Sequence, residues 1–173
     1  AATVEEGTIY LGTGNDSVST VGAITKSTVT TSAGDNEFTF GAAADSVTLT
    51  SGTGDDVLVV TNDFDNSVVV MGDGKDNVDL NGAFDKSSIK LGIGNDTIDI
   101  ASASTTSTVY GGAGDDKINA QAALTKYYIE DSSGAIDFDG TDLVTSTLTV
   151  GSGADSLTLT GAVTGSTITA GSG

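Results

Sequence analysis

The chain contains no cysteine, histidine, arginine, proline or tryptophan. Each absence removes a class of chemistry. Without Cys or His there is no thiol catalysis, no disulfide framework, and no ordinary zinc or haem ligation. Without His there is no Ser-His-Asp relay. Without Arg there is no bidentate phosphate clamp. Basic residues are scarce as a whole: the six are Lys26, Lys75, Lys86, Lys90, Lys117 and Lys126, against 24 acidic residues, for a net charge of −18. No basic face for nucleic acid can be assembled from them. No apolar run of about 20 residues is present to span a membrane, so no membrane insertion is expected. The opening "AATVEEG" has neither the charged nor the apolar region of a signal peptide. Missing cysteine does not assign a compartment, because an extracellular chain can use another staple.

What the 173 residues do contain is a repeat. Units begin at Gly12, Ser32, Gly52, Gly72, Gly92, Gly112, Ser132, Gly151 and Gly171, 20 residues apart except for the 19-residue unit from Ser132 to Val150. A fixed period of this length marks a stacked architecture. The third residue of every unit is glycine, from Gly14 to Gly173. A glycine demanded at one place in each unit points to a backbone angle that a Cβ forbids, as in a tight turn.

After that turn the pattern alternates. The seventh residue is always apolar (Val18, Phe38, Leu58, Val78, Ile98, Ile118, Phe138, Leu157), and the ninth mostly so, with Thr20 and Gly140 as exceptions. Period two with one apolar face predicts a strand. A second strand closes the unit, centred on Ile9, Val29, Leu49, Val69, Ile89, Val109, Ile129, Leu148 and Ile168. High Gly, Ser and Thr content and the absence of helical spacing exclude helices. The predicted fold is all-β: a right-handed parallel β-solenoid, or β-roll, with about 20 residues and two short strands per coil. Residues 1–173 form a single solenoid domain of eight to nine coils stacked at ~4.8 Å, roughly 40 Å long. The chain begins mid-unit and ends on Gly171–Gly173, where another coil would start. The expectation is therefore a fragment of a longer repeat protein, or chains that associate end to end or laterally.

The fifth residue of the unit reads Asp16, Asn36, Asp56, Asp76, Asp96, Asp116, Ile136, Asp155. Stacking places these side chains in one column ~5 Å apart. Carboxylates that close repel and raise one another's pKa. A hard divalent cation relieves this, and calcium, with six to eight oxygen ligands and tolerant geometry, suits the site better than magnesium. Glycine-aspartate turns that simply cap the solenoid without metal are the plain alternative. Asp35, Asp55, Asp115, Asp79, Asp99 and Asp139 are expected to point outward as a solvated acidic face, and Tyr110, Tyr127 and Tyr128 to cover a thin core.

In these residues the chain resembles the RTX family of calcium-binding β-rolls. Its nonapeptide G-G-x-G-x-D-x-U-x, with U a large apolar residue, is matched from Gly111 by Gly111, Gly112, Gly114, Asp116 and Ile118. "LGTGNDSV", "SGTGDDVL", "MGDGKDNV", "LGIGNDTI" and "VGSGADSL" match all but the first glycine. The pattern departs from the family on the opposite turn, where "VGAITKS", "GAAADS", "TNDFDNS" and "NGAFDKS" carry no regular ligand. In that respect the chain looks like the long-repeat variants of bacterial surface-layer proteins and adhesins. The resemblance implies several calcium ions along one edge. Their ligands would be the side chains of Asp16, Asn36, Asp56, Asp76, Asp96, Asp116 and Asp155, with turn backbone at Gly12, Gly14, Gly52, Gly54, Gly72, Gly74, Gly92, Gly94, Gly112 and Gly114. Asp56 to Asp116 is an unbroken run; Ile136 interrupts it, and Asp131 is a candidate substitute. The resemblance also implies secretion in an unfolded state and folding outside the cell on meeting calcium.

The function expected is thus a calcium-stabilised structural repeat of an extracellular, cell-surface protein: a surface layer, a filament or an adhesin stalk. No enzymatic role and no small-molecule substrate is expected. No phosphate-loop Lys-Ser/Thr pair follows "GDGKD", and a stacked aspartate pair meets glycosidase spacing trivially. Two alternatives fit the same repeat. One is an ice-binding adhesin region using outward Thr and Asx rows, beginning at Thr13/Asn15 and at Thr28/Thr30 and Thr48/Thr50, but broken at Val68/Val70 and Ser88/Lys90. The other is a viral appendage or fibre.

Overall fold

The computed structural model describes residues 3–173. Every strand pairs in parallel with its counterpart one unit away, and no helix occurs among the described residues. One coil is seen in Thr48–Thr53, Val57–Val60 and Phe64–Asp65. The first kind of strand stacks into a nine-stranded sheet from Thr8–Tyr10 to Thr167–Thr169. The second builds an eight-stranded sheet from Ser17–Thr20 to Ser156–Leu159. These are the two strands per coil that the alternation predicts. The structure adds a third, two-residue strand beside the opposite turn. It stacks as a sheet of five, ending at Phe84–Asp85, and a sheet of four, beginning at Ser104–Thr105.

Register follows the repeat. Phe38 pairs with Leu58 and Val78 with Ile98, 20 residues on. Ala120 still pairs with Gly140, but Leu124 pairs with Leu143. The residue missing from the 19-residue unit is therefore lost in the turn between Gly140 and Leu143, and both main sheets cross the irregular unit unbroken.

Apolar side chains fill the lumen in columns, each packing on its equivalent one coil away. Phe38, Leu58, Val78, Ile98, Ile118 and Phe138 are wholly buried. Phe64 and Phe84 stack with centroids 6.0 Å apart, and Tyr127 tilts against Phe84 at 6.3 Å. Tyr127 is thus a core residue whose hydroxyl donates to the Phe84 carbonyl at 3.0 Å. Tyr110 and Tyr128 form an edge-to-face pair on the outer face, with Lys90 over the Tyr110 ring.

The opposite turn has an order that its varied sequence hides. Glu6, Lys26, Ser46, Asn66, Lys86, Thr106, Lys126 and Thr145 all hold φ between 46° and 57°. Each is a left-handed residue that turns the chain, and most are followed by an inward serine. The Ser67, Ser87 and Ser107 hydroxyls accept the N–H groups of Val47, Ser67 and Ser87 one coil back, at 2.9 to 3.1 Å. Ser67 and Ser87 donate in turn to the carbonyls of Asp65 and Asp85. Buried main-chain N–H groups need partners, and the serine column supplies them where no strand ladder reaches.

Candidate cation column

The glycine turn is tight because successive turns nearly touch. Gly74 has φ 147°, and a Cβ built on it would collide with the Gly54 carbonyl oxygen. Most fourth- and fifth-position N–H groups of these turns bond to side chains rather than to carbonyls, the Asp116 N–H, which meets the Ala135 carbonyl, being an exception. Two side-chain ladders supply the partners. At the fourth position, Asn15, Asp35, Asp55, Asn95 and Asp115 are exposed, and each accepts through Oδ1 the N–H of the residue one coil ahead, at 2.8 to 3.0 Å. These acids do face outward, as expected, but they also bond to the turns.

At the fifth position the side chains turn inward. Asn36, Asp56, Asp76, Asp96 and Asp116 are at most 2% exposed. The Asp56, Asp76, Asp96 and Asp116 Oδ1 atoms accept the N–H groups of Asn36, Asp56, Asp76 and Asp96, one coil behind, at 2.7 to 2.9 Å. Asn36 does the same for Asp16 at 3.1 Å, and Asp155 for Ile136 at 3.2 Å. The candidate ligands therefore form one column, unbroken from Asp16 to Asp116, half-buried at Asp16 and Asp155, and interrupted between Asp116 and Asp155 by the buried apolar Ile136.

The second oxygen of each carboxylate is different. Oδ2 of Asp16, Asp56, Asp76, Asp96 and Asp116 is buried and has no hydrogen-bond partner. Asn36 shows what this place in the turn asks for. Its amide nitrogen donates to the Gly34 carbonyl at 2.6 Å and to Asp56 Oδ1 at 2.8 Å. Where Asn has a donor, the aspartates have only an acceptor. An unpaired buried carboxylate oxygen is costly, and either a proton or a cation relieves it. Burial is the main cause that pushes Asp76 up to about 7 and Asp96 to about 6. The N–H bonds to Oδ1 oppose the shift, and neighbouring carboxylates add to it. Asp116 is also raised, first by burial and then by Asp131.

Among the described residues no three acidic side chains converge as a ready-made metal cluster. A cation on this column would take single carboxylate oxygens from successive coils together with turn carbonyls of the glycines. That donor set is all oxygen, as calcium requires, and the orphaned Oδ2 atoms fit it. The ten turn glycines expected to contribute main chain lie beside the column. Gly12, near the first coil, is open, whereas Gly52, Gly72, Gly92 and Gly112 pack against the turn before.

Elsewhere acids are matched differently. Lys117 meets Asp137 at 2.9 Å and Asp139 at 3.3 Å on the outer face. The Thr rows align as the sequence suggests, Thr28 on Thr48 and Thr30 on Thr50, but the next coil presents Val68 and Val70. No helix among the described residues is long and apolar enough to cross a membrane. No family model matches this chain, and no significant match is found to a curated protein or to a solved structure.

Proposed function

We propose that the chain is a structural repeat domain of an extracellular surface protein, a rod whose buried carboxylate column takes calcium ions and folds fully only when they are bound. The observation that carries this reading is the row of buried, partnerless Oδ2 atoms from Asp56 to Asp116. A bound divalent ion supplies the positive charge that the lumen lacks. Asp56, Asp76, Asp96 and Asp116 would hold it together with turn carbonyls, while their Oδ1 atoms keep the turns in register. Asp16, Asn36 and Asp155 would contribute more weakly, since Asp16 and Asp155 are less buried and Asn36 is already satisfied.

Binding to the folded state alone adds RT ln(1 + [L]/Kd) per site to stability. Several such sites in one column make folding cooperative in calcium. A net charge of −18 and weak oxygen sites suit a surface bathed in millimolar calcium, as in a surface layer, filament or adhesin stalk. Continuation of the stack, by further repeats or by another copy, belongs to the same reading. The interrupted Thr rows offer no flat array, so ice binding is the weaker alternative.

The test is a thermal melt followed by far-UV circular dichroism, in chelator and then with calcium from micromolar to 10 mM (~three to four decades, spanning sensor-type and extracellular-type sites). A saturable, calcium-specific rise in melting temperature is expected. A melt indifferent to calcium would overturn the reading and leave a metal-free, hydrogen-bonded solenoid.

A further inference from the structure

Beside the aspartate column runs a second inward column, one residue before each glycine turn: Thr31, Ser51, Met71, Leu91, Gly111, Asp131 and Val150. Most of its members are apolar or satisfied. The Thr31 and Ser51 hydroxyls donate to the carbonyls of Ser51 and Met71 at 2.5 Å. Two consecutive members differ: Gly111 has no side chain, and Asp131 carries the only charge.

The two exceptions meet. A Cβ placed on Gly111 would lie 2.7 Å from Asp116 Oδ2 and 2.8 Å from Asp131 Oδ1. Both oxygens therefore face the same bare Cα, in room that any other residue at 111 would fill. Asp131 is 1% exposed and Asp116 2%. Both Asp131 oxygens and Asp116 Oδ2 are buried without a hydrogen-bond partner. Three carboxylate oxygens thus gather at one coil boundary with no donor in hydrogen-bonding geometry, although the Gly112 and Ser132 main chain lies near enough to Asp131 to offset part of the cost of its burial. No ion pair among the described residues relieves them: Lys117, the nearest lysine in sequence to Asp116, is engaged with Asp137 and Asp139 on the outer face. In the next coil Ile136 offers an apolar side chain where the column would carry an acid, so nothing from that position competes for the space.

We infer that Asp116 and Asp131 together hold one divalent cation inside the solenoid, in the space left by Gly111. Two carboxylates bring the charge that one such ion neutralises, and an all-oxygen donor set selects a hard ion of the calcium type over zinc. The site moves the ion from the regular column to the neighbouring one where Ile136 breaks it. It borrows the ion class from the proposed function but stands on Asp131, which is no part of the repeating column.

Terbium, a luminescent stand-in for calcium, is the probe. Tyr110 adjoins Gly111 in the chain, and Tyr127 and Tyr128 lie in the following coil, so an ion held by Asp131 is excited through tyrosine. Tyr127 reaches back to the Phe84 carbonyl, in the coil that carries Asp76, and Tyr110 closes the coil that carries Asp96, so ions on the column are sensitised as well and the readout for this site is the component of emission that Asp131→Asn changes. Tyrosine-sensitised terbium emission that calcium displaces is expected from the wild-type chain. Asp131→Asn is expected to weaken its apparent affinity by about tenfold or more, with the calcium-dependent melting shift of the remaining column retained. Emission unchanged by Asp131→Asn would overturn the site while leaving the column reading intact. Terbium held through Asp131 in a protein whose melt ignores calcium would do the reverse. Should Asp131→Asn fail to fold, anomalous scattering from terbium-soaked wild-type crystals decides: a peak between Asp116 and Asp131 supports the site, and its absence refutes it.

Discussion

Asp55 and Asp56 are adjacent in the chain and bond in opposite directions along the rod. Asp55 Oδ1 accepts the N–H of Lys75, one coil ahead, at 2.8 Å, and Asp56 Oδ1 accepts the N–H of Asn36, one coil behind, at 2.7 Å. One exposed and one buried carboxylate thereby lock a single turn to both neighbours. The outer one remains in water, where its charge is solvated. The inner one is left with a bare second oxygen, and the consequences for stability concentrate there.

Asp76→Asn should therefore act with opposite sign in the two metal states. An amide at this position can donate as Asn36 does, to the turn carbonyl and to the next side chain. Without metal the substitution is expected to stabilise the fold by about 1 kcal/mol, the scale of relieving one unsatisfied buried polar group. With saturating calcium it should lower the melting temperature relative to the wild type, because a ligand charge is gone. Paired melts in chelator and in calcium measure both, and destabilisation of equal size in the two conditions would refute the crossover.

The metal-free protein should lose stability as pH rises. Asp76 titrates at about 7 and Asp96 at about 6 in the folded chain, chiefly because of burial. An unfolded aspartate titrates near ~3.9. The folded state thus binds more protons between those values, and stability that is full below about pH 4 is shed as pH climbs toward 7. Melting temperatures in metal-stripped buffers from pH 4.5 to pH 8 should fall across that window (approximate bounds set by the same linkage). The calcium increment should grow over it, since ligands bind when deprotonated. A metal-free melting temperature that rises with pH would contradict the assignment.

Thr106→Gly is expected to stabilise. Thr106 is an exposed, β-branched residue held at φ 57°, while Gly165 occupies the equivalent place in a later coil at φ 61°. Relief of left-handed strain, about 1–2 kcal/mol, should exceed the added unfolded-state entropy of glycine, about 0.4–1 kcal/mol. Denaturant unfolding should show a higher midpoint with the same slope, and a lower midpoint would show that the turn geometry is unstrained.

Gly74→Ala and Gly12→Ala form a matched pair. At Gly74 a methyl group meets the Gly54 carbonyl and the backbone sits at φ 147°; at Gly12 nothing lies within 4 Å. The first is expected to cost about 3 kcal/mol or more, the second within about 0.5 kcal/mol of zero. Equal effects in chemical denaturation would show that the close stacking of turns does not govern stability.

Much of this fold was legible in the residues because the repeat writes the same instruction many times. Period-two columns such as Phe38, Leu58 and Val78 could only be strands with one inward face, and Gly74 and its equivalents could only be a turn without room for Cβ. The acidic column was legible for the same reason. The ladder at Asp35, Asp55 and Asp115 was not, since an outward acid reads as solvated until the N–H beneath it is seen to lack another partner. The serine column was partly written in the recurring Ser67, Ser87 and Ser107, but the residues before them vary from Asn66 to Lys86 to Thr106. Their shared left-handed backbone leaves no common residue type, because the angle is imposed by the coil rather than by local preference. Tyr127 gave no sign of lying inside, following Lys126 and adjoining Tyr128; its place in the lumen depends on Phe84, 43 residues earlier.

By itself the sequence determined an all-β stack with a 20-residue period, its apolar columns, its glycine turns and a line of aspartates at one edge. Those are consequences of composition and spacing, which act within a coil or between identical coils. Only the tertiary structure decided which oxygen of each aspartate is used and which is left bare, and that Asp131 turns inward to meet Asp116 across Gly111. Such facts depend on contacts between unlike residues of successive coils; the break at Ile136 marked Asp131 as a candidate, but a repeat pattern, which records only what is alike, does not show that it meets Asp116 across Gly111.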